Sequence, residues 1–160
     1  MLRLGILTMS DKGALGARED TSGDAIRQIM TATGAEVDRY LLIPDERSRI
    51  SATLREWADS GSVDLILTTG GTGLASRDVT PEATLDVLER LAPGLAEAMR
   101  AEGLRHTPMA ALSRAVAGTR GRTLIVNLPG SEKGVRESLG AILPILPHAI
   151  ETLRDTAGDH

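Results

Sequence analysis

Hydrophobic residues concentrate in four short runs that are typical of β-strands. The runs cover Leu2–Met9, Val37–Ile43, Val63–Thr69 and Thr123–Leu128. The centres of the last two, at 65–67 and 124–126, are continuously apolar and do not alternate with polar residues. Strands that are buried on both faces have this composition, as in parallel sheets covered by helices. The pattern therefore predicts a mostly parallel central sheet with helices on both faces.

Helical periodicity fills the segments between these runs. The predicted helices cover Ser22–Thr33, Ser48–Ser60, a segment that starts at Thr80-Pro81, Val135–Leu143 and Pro147–Leu153. In the third of these, Thr80 is the expected N-cap and Pro81 the first helical residue. Its apolar face is predicted to continue through Leu85, Leu88 and Leu91, and then, beyond a break at Pro93-Gly94, through Leu95, Ala98 and Met99.

The alternation of strands and helices predicts one α/β domain of the doubly wound type. No repeat or linker divides the chain, so we assign residues 1–154 to this domain and residues 155–160 to a C-terminal tail. In such folds ligands bind beyond the carboxyl ends of the strands. Polar and glycine-rich residues that follow a strand are therefore the candidates for a functional site.

Composition and charge exclude several classes of protein. The 160 residues include 18 basic and 22 acidic side chains, which gives a net charge of −4. This balance and the presence of only two aromatic residues, Trp57 and Tyr40, argue against nucleic-acid binding. The absence of cysteine excludes disulfides, thiolate metal sites and cysteine nucleophiles. No apolar run approaches ~18 residues and no signal-peptide pattern opens the chain, so we expect a soluble, cytoplasmic protein that binds no membrane.

A glycine-rich turn, Gly70-Gly71-Thr72-Gly73, follows the third strand. Glycines permit positive φ angles and allow several backbone N–H groups to converge on an anion. No G-x-x-x-x-G-K-[ST] sequence is present, so a bound nucleotide would not use a Walker lysine. A tight turn without a ligand is the alternative, but the helix that begins soon after the turn favours a phosphate site.

Two aspartates also follow strand ends. Asp45 comes directly after the second strand, and Asp78 lies between the glycine-rich turn and the next helix. Each carboxylate could cap a helix, and spacing alone favours that interpretation no less than a functional one. Because both lie at the same edge of the predicted sheet, together they could instead form a Mg²⁺ site that keeps several waters and takes phosphate oxygens.

Three further segments contain candidate ligand-binding residues. Ser10-Asp11 follows the first strand, and Pro129-Gly130-Ser131 follows the fourth at the start of a helix. Ser113-Arg114 offers a hydroxyl group and a guanidinium group, which binds phosphate well because its planar fork is bidentate. A flexible surface loop at residue 10 and a solvated basic surface near residue 114 are the alternatives.

Taken together, these motifs resemble a known family. TTGGTGLASRDVTPEAT at 68–84, IPDE at 43–46, LSRAVAGTRG at 112–121 and LIVNLPGSEKGVRE at 124–137 are similar to the molybdenum-cofactor biosynthesis family of MogA, MoaB and the gephyrin G domains. The resemblance covers essentially the whole chain, although GSEKG and the loop GALGARED depart from the usual family sequence. It implies a homotrimer that transfers AMP from ATP to molybdopterin with Mg²⁺ as the metal.

The resemblance also implies roles for individual residues. Asp45 and Asp78 match the family's essential acidic pair, which would be catalytic and would bind the metal. The expected nucleotide- and phosphate-binding residues are Ser10, Asp11, Gly70, Gly71, Thr72, Gly73, Pro129, Gly130 and Ser131. Ser113 and Arg114 match the stretch associated with molybdopterin. Partners are expected to be small molecules, with other molybdenum-cofactor biosynthesis proteins as further candidates.

Two other functions compatible with the resemblance remain. One is a MoaB-type protein that binds molybdopterin, or acts as a scaffold, without turnover. A paired carboxylate near phosphates argues against a pure binding protein. The other is a nucleotide hydrolase like the N-terminal domain of CinA, whose usual partner domain is absent from these 160 residues.

Overall fold

A computed structural model describes residues 1–155, and a six-stranded sheet forms its centre. The strands are β1 Arg3–Met9, β2 Glu36–Ile43, β3 Leu65–Thr69, β4 Arg90–Leu91, β5 Ala117–Arg120 and β6 Thr123–Leu128. Their order across the sheet is β2-β1-β3-β6-β5-β4. The first four in this order pair in parallel, whereas β5 pairs antiparallel with both of its neighbours. The predicted α/β fold with a mostly parallel sheet is confirmed.

Helices cover both faces of this sheet. They are α1 Asp11–Ala14, α2 Thr21–Ala32, α3 Arg47–Asp59, α4 Thr80–Leu85, α5 Pro93–Leu104, α6 Glu132–Ile142 and α7 Leu146–Leu153, with a 3₁₀ helix at Pro108–Leu112. Buried side chains of α2, α5, α6 and α7 form one hydrophobic core on one face. Those of α3 and α4 form a second core on the opposite face.

The two cores explain the unbroken apolar runs. Every residue of β3 and β6 is buried, because both faces of these strands are covered. In β1, Leu4 and Ile6 belong to the first core and Leu7 to the second. Gly5 provides space for Trp57, since a Cβ atom at Gly5 would lie 2.9 Å from the Cε3 atom of the indole ring.

The region between residues 79 and 120 differs from the prediction. Helix α4 ends at Leu85, and the side chains of Leu85 and Leu91 are both exposed. The prediction of a continuous apolar helix face through these residues is therefore wrong. Val79 occupies the N-cap position, and Thr80 is the first helical residue. Strands β4 and β5, which the hydrophobic pattern did not predict, lie in this region and extend the sheet beyond β6.

A buried carboxylate joins the two ends of the described chain at the amino-terminal edge of the parallel strands. Asp64, directly before β3, accepts hydrogen bonds from Arg3 at the start of β1 and from Arg154 at the end of α7. Arg154 also donates to the carbonyl oxygen of Met1 at 3.0 Å. Residues 1 and 154 are therefore neighbours in space.

No helix in the described part of the chain is long and apolar enough to cross a membrane. The predicted C-terminal tail, apart from Asp155, lies outside the described residues.

Candidate functional site

The candidate site lies where the direction of the chain across the sheet reverses. Strand β1 stands between β2 and β3, so the connections from β1 to β2 and from β2 to β3 run in opposite directions. A crevice opens beyond the carboxyl ends of the strands at such a switch point, and ligands bind there in α/β folds. The segments that follow β1, β3 and β6 meet in this crevice.

Two adjoining cavities occupy the crevice. The first has a volume of about 440 Å³ and is lined by Met99, Met109, Leu112 and Ser113, among others. The second has a volume of about 520 Å³ and a more polar lining, which includes Thr8, Ser10, Asp20 and Asp45. Four residues line both cavities, namely Gly71, Asp78, Gly130 and Ser131. Both volumes fall in the range of small-molecule sites, and the shared wall would bring two ligands together.

Thr80 supports the glycine-rich turn through two hydrogen bonds. Gly70 and Gly71 have φ angles of 98° and 71°, which residues with a Cβ atom rarely adopt. The buried hydroxyl group of Thr80 donates to the carbonyl oxygen of Gly70 at 2.8 Å, and its N–H donates to that of Gly71 at 3.1 Å. A Cβ atom at Gly71 would lie 2.3 Å from the hydroxyl oxygen of Thr80. The turn therefore requires glycine at this position.

The turn after β6 packs directly against the glycine-rich turn. A Cβ atom at Gly130 would lie 3.3 Å from the Cα atom of Gly70, and the hydroxyl group of Thr69 donates to the carbonyl oxygen of Pro129 at 2.5 Å. The hydroxyl oxygen of Ser131 caps α6 by accepting a bond from the N–H of Gly134. The positive end of this helix therefore faces the wall that the two cavities share.

Neither Asp45 nor Asp78 caps the helix that follows it. The N-cap residues of α3 and α4 are Glu46 and Val79, and neither makes a side-chain capping bond. The carboxylate of Asp45 instead accepts a bond from the N–H of Asp11, and that of Asp78 accepts one from the N–H of Ala75. The capping interpretation of the two aspartates is therefore wrong for α3 and α4.

The surroundings of Asp45 disfavour its charged form. Burial raises the pKa of Asp45, and the charges of Asp11 and Asp78 raise that pKa further. An oxygen atom of Asp45 lies 3.1 Å from the position of a Cβ atom on Gly71, and one of Asp78 lies 2.9 Å from that on Gly73. The two carboxylates thus flank the glycine-rich turn.

These donors suit magnesium. Magnesium prefers hard oxygen ligands such as carboxylates, and the ion normally keeps several waters. Within residues 1–155, no group of three or more histidines or carboxylates could hold a metal. Asp45 and Asp78 would therefore have to share the ion with water and with phosphate oxygens of a substrate.

Ser10 and Asp11 have structural partners at the end of β1. Ser10 lines the second cavity, and its hydroxyl oxygen caps α1 by accepting the N–H of Gly13. The carboxylate of Asp11 accepts two bonds from Arg77 at 2.8 and 2.9 Å and one from the N–H of Asp45. The hydrogen bond from Arg77 lowers the pKa of Asp11 most. Asp11 therefore links the ends of β1 and β2 to the loop that contains Arg77.

Ser113 and Arg114 are neighbours in sequence but differ in their surroundings. Ser113 lines the first cavity. Arg114 does not line either cavity. Its guanidinium group faces Glu82 and backbone carbonyl groups of the loop after the glycine-rich turn.

Several residues of the site were not predicted from the sequence. The buried amide of Asn127 donates to the hydroxyl groups of Thr68 and Thr84 at 3.0 Å and accepts from the N–H of Val116 at 3.1 Å. Thr84 in turn donates to the carbonyl oxygen of Thr80. An amide within the apolar run of β6 was the only sequence signal for this network.

Comparison with known proteins identifies relatives of this chain. The chain is 44% identical over 155 residues to the molybdenum cofactor synthesis protein cinnamon of Drosophila melanogaster, covering 96% of this chain and 26% of that protein. It is 40% identical over 154 residues to molybdopterin adenylyltransferase of Helicobacter pylori strain J99, covering 95% and 88% of the two chains. The chain thus spans about a quarter of cinnamon and most of the bacterial relative.

Solved structures of molybdopterin biosynthesis proteins are also similar to this chain. The crystal structure of the molybdopterin biosynthesis enzyme MoaB from Thermus thermophilus matches with a TM-score of 0.92 and 61% identity, over 97% of this chain and 98% of that one. Residues 5–148 match the family model described as "Probable molybdopterin binding domain". These matches show that the chain belongs to this molybdenum-cofactor biosynthesis family.

Proposed function

We propose that this protein transfers the adenylyl group of ATP to molybdopterin and releases pyrophosphate. The observation that carries this proposal is the pair of cavities that share Gly71, Asp78, Gly130 and Ser131. A reaction between two bound substrates needs such a junction, because their reacting atoms must come within about 3–3.5 Å. The relatives named molybdopterin adenylyltransferase support the choice of reaction.

The linings of the cavities suggest which substrate each one takes. The first cavity, with its methionines and Ser113, would hold the pterin, and the more polar second cavity would hold ATP. Backbone N–H groups of the glycine-rich turn and the N-terminus of α6 would bind phosphate oxygens at the junction. Asp45 and Asp78 would hold Mg²⁺, which neutralises phosphate charge when it is bound.

The chemistry needs little proton transfer. A phosphate oxygen of molybdopterin forms a bond to the α-phosphorus of ATP while the bond from that phosphorus to the β-phosphate oxygen breaks. The attacking phosphate is already ionised at neutral pH, so the protein contributes mainly positioning and charge stabilisation. This agrees with the cavity linings, which contain no histidine among the described residues, in a chain without cysteine.

The test is pyrophosphate release by purified protein with ATP, Mg²⁺ and molybdopterin. Asp45→Asn and Asp78→Asn should each lower turnover by roughly 10²-fold or more, the scale for loss of an electrostatic stabiliser. Both variants should fold and bind molybdopterin, because Asn keeps the size and much of the hydrogen bonding. Near wild-type turnover in both variants would show that the metal site is elsewhere.

A second candidate is molybdopterin binding without turnover, which the family model favours because its description names molybdopterin binding alone. Binding of molybdopterin with no ATP consumption would establish this role in place of adenylyl transfer. Hydrolysis of a free nucleotide without molybdopterin would instead indicate the hydrolase alternative.

We also propose that the protein works in the cytoplasm as a homotrimer. In support of self-association, Leu74, Leu91 and Leu104, none of which lines either cavity, are half exposed or more. A second surface would cover these large apolar side chains. Light scattering that gives a mass of 16.9 kDa at micromolar concentration would exclude the trimer.

A further inference from the structure

Arg114 contacts both ends of the loop that joins the glycine-rich turn to α4. Its N–H donates to the carbonyl oxygen of Thr72 at 2.8 Å. Its guanidinium group donates to the carbonyl oxygens of Gly73 and Asp78, both at 2.8 Å. The same group pairs with the carboxylate of Glu82 at 2.6 and 3.3 Å. One residue from the segment before β5 thus binds three carbonyl groups of residues 72–78 and the helix that follows them.

These bonds determine how the loop faces the cavities. Because the peptide group is planar, a carbonyl held towards Arg114 directs the N–H of the next residue the opposite way. The loop is also closed on itself, since the N–H of Asp78 donates to the carbonyl oxygen of Ala75 at 2.9 Å and the N–H of Ala75 donates to the Asp78 carboxylate at 3.0 Å. Asp78 lines both cavities, whereas Arg114 lines neither.

We propose that Arg114 is a positioning residue, which fixes the loop at residues 72–78 so that the Asp78 carboxylate stays at the junction of the cavities. It does not bind substrate, in contrast to the role that the family resemblance implies for it. The effect on turnover rests on the proposed adenylyl transfer. The effect on the loop does not depend on that function.

Kinetics of Arg114→Ala and Arg114→Lys separate positioning from direct binding. A misplacement of about 1 Å can lower a rate 10²-fold, so Arg114→Ala should lower kcat by roughly that factor with little change in the KM of either substrate. Arg114→Lys keeps the charge but not the planar fork. Its kcat should therefore lie between that of the wild type and that of Arg114→Ala. A large rise in KM with unchanged kcat would overturn the proposal.

Arg120 offers a matched control. Its guanidinium group pairs with the carboxylate of Asp59 at 2.9 and 3.1 Å and donates to the carbonyl oxygen of Val87 at 3.0 Å. Arg120 ends β5 beside the start of β6, at the edge of the sheet away from the cavities. Arg120→Ala removes a similar set of bonds and should leave kcat at the wild-type value. A loss of kcat equal to that of Arg114→Ala would show a general effect of stability and overturn the proposal.

A double variant tests whether Arg114 acts through Asp78. If it does, Arg114→Ala should lower kcat little further in a protein that already has Asp78→Asn. Multiplied losses would mean that the two residues act independently, and this would overturn the proposal.

Amide hydrogen exchange supplies a measurement without substrates. Residues 72–79 should exchange faster in Arg114→Ala than in the wild type, whereas β6 should be unchanged. Equal exchange in that loop would overturn the positioning role. If the wild type releases no pyrophosphate, adenylyl transfer fails as a function while the exchange result still decides the role of Arg114.

Discussion

Replacing Thr80 with valine tests the support of the glycine-rich turn. Valine has nearly the shape of threonine and is also β-branched, so it fits the same buried position. It cannot donate the 2.8 Å hydrogen bond to the carbonyl oxygen of Gly70. The N–H bond to Gly71 is kept, so the substitution removes one interaction and little else.

The expected cost follows from the burial of both groups. A buried acceptor that loses its donor costs about 1–3 kcal/mol. For a chain of this size, 1 kcal/mol shifts Tm by roughly 2–4 °C. We therefore expect Thr80→Val to lower Tm by roughly 2–12 °C and, because the turn is released beside Asp45 and Asp78, to lower turnover about 10-fold or more.

Two control variants isolate the hydroxyl group. Thr80→Ser keeps the donor and loses one methyl group, at about 0.8 kcal/mol, so it should be less stable but nearly fully active. Thr31→Val removes an exposed hydroxyl group that donates to the carbonyl oxygen of Arg27 within α2, and both Tm and turnover should be preserved. Thermal melts and pyrophosphate release measure both effects. Wild-type values of both for Thr80→Val would refute the role of Thr80.

Three other substitutions test the core and the charged groups. A Cβ atom at Gly5 would lie 2.9 Å from the ring of Trp57. Gly5→Ala should therefore lower the free energy of unfolding by about 1–3 kcal/mol through overpacking and shift the fluorescence of Trp57. Unchanged emission and Tm would contradict this. Burial chiefly raises the pKa of Asp45, so the charged form is disfavoured in the fold. Asp45→Asn should therefore raise Tm at neutral pH, with a gain that fades as pH falls through the raised pKa. At Asp64, burial raises the pKa, but hydrogen bonds from two arginines outweigh it and the pKa is lowered. Its contribution to stability is present above the ordinary carboxyl pKa and is lost as pH falls through the lowered one, so Asp64→Asn should lower Tm at neutral pH and flatten the acid side of the melting profile.

The hydrophobic pattern predicted the buried strands well, because a strand that is buried on both faces shows this in its own run of apolar residues. Strand β6 has the predicted bounds, Thr123–Leu128, and β3 begins at Leu65, two residues later than predicted. Strands β4 and β5 contain two and four residues, with small or polar side chains in AGTR. Strand β5 forms a hairpin with β6, whereas β4 pairs with β5 from a distant part of the chain. Strands this short carry no periodicity of their own that would reveal these pairings.

The same distinction applies to the site. The glycines and Asp78 could be located because the carboxyl ends of parallel strands bind ligands in this class of fold. The partners that hold them could not, since Thr80 resembles a helix cap in sequence and Arg114 is 36 residues from Asp78 along the chain. Arginine beside a predicted phosphate site suggests a ligand-binding residue. Only the three-dimensional contacts show that its donors are used within the protein.

The hydrogen bonds from Arg3 and Arg154 to Asp64 have a consequence for the architecture of larger proteins. It places residues 1 and 154 side by side at the edge of the sheet opposite the cavities. Polypeptide joined at either end would therefore leave the crevice open, and the domain could be inserted into or fused to another chain without a long linker. In cinnamon the matched segment is 26% of the length, so a segment similar to this domain also occurs as part of a longer chain. A circular permutant that joins these two ends by a short loop should likewise keep the sheet and both cavities intact.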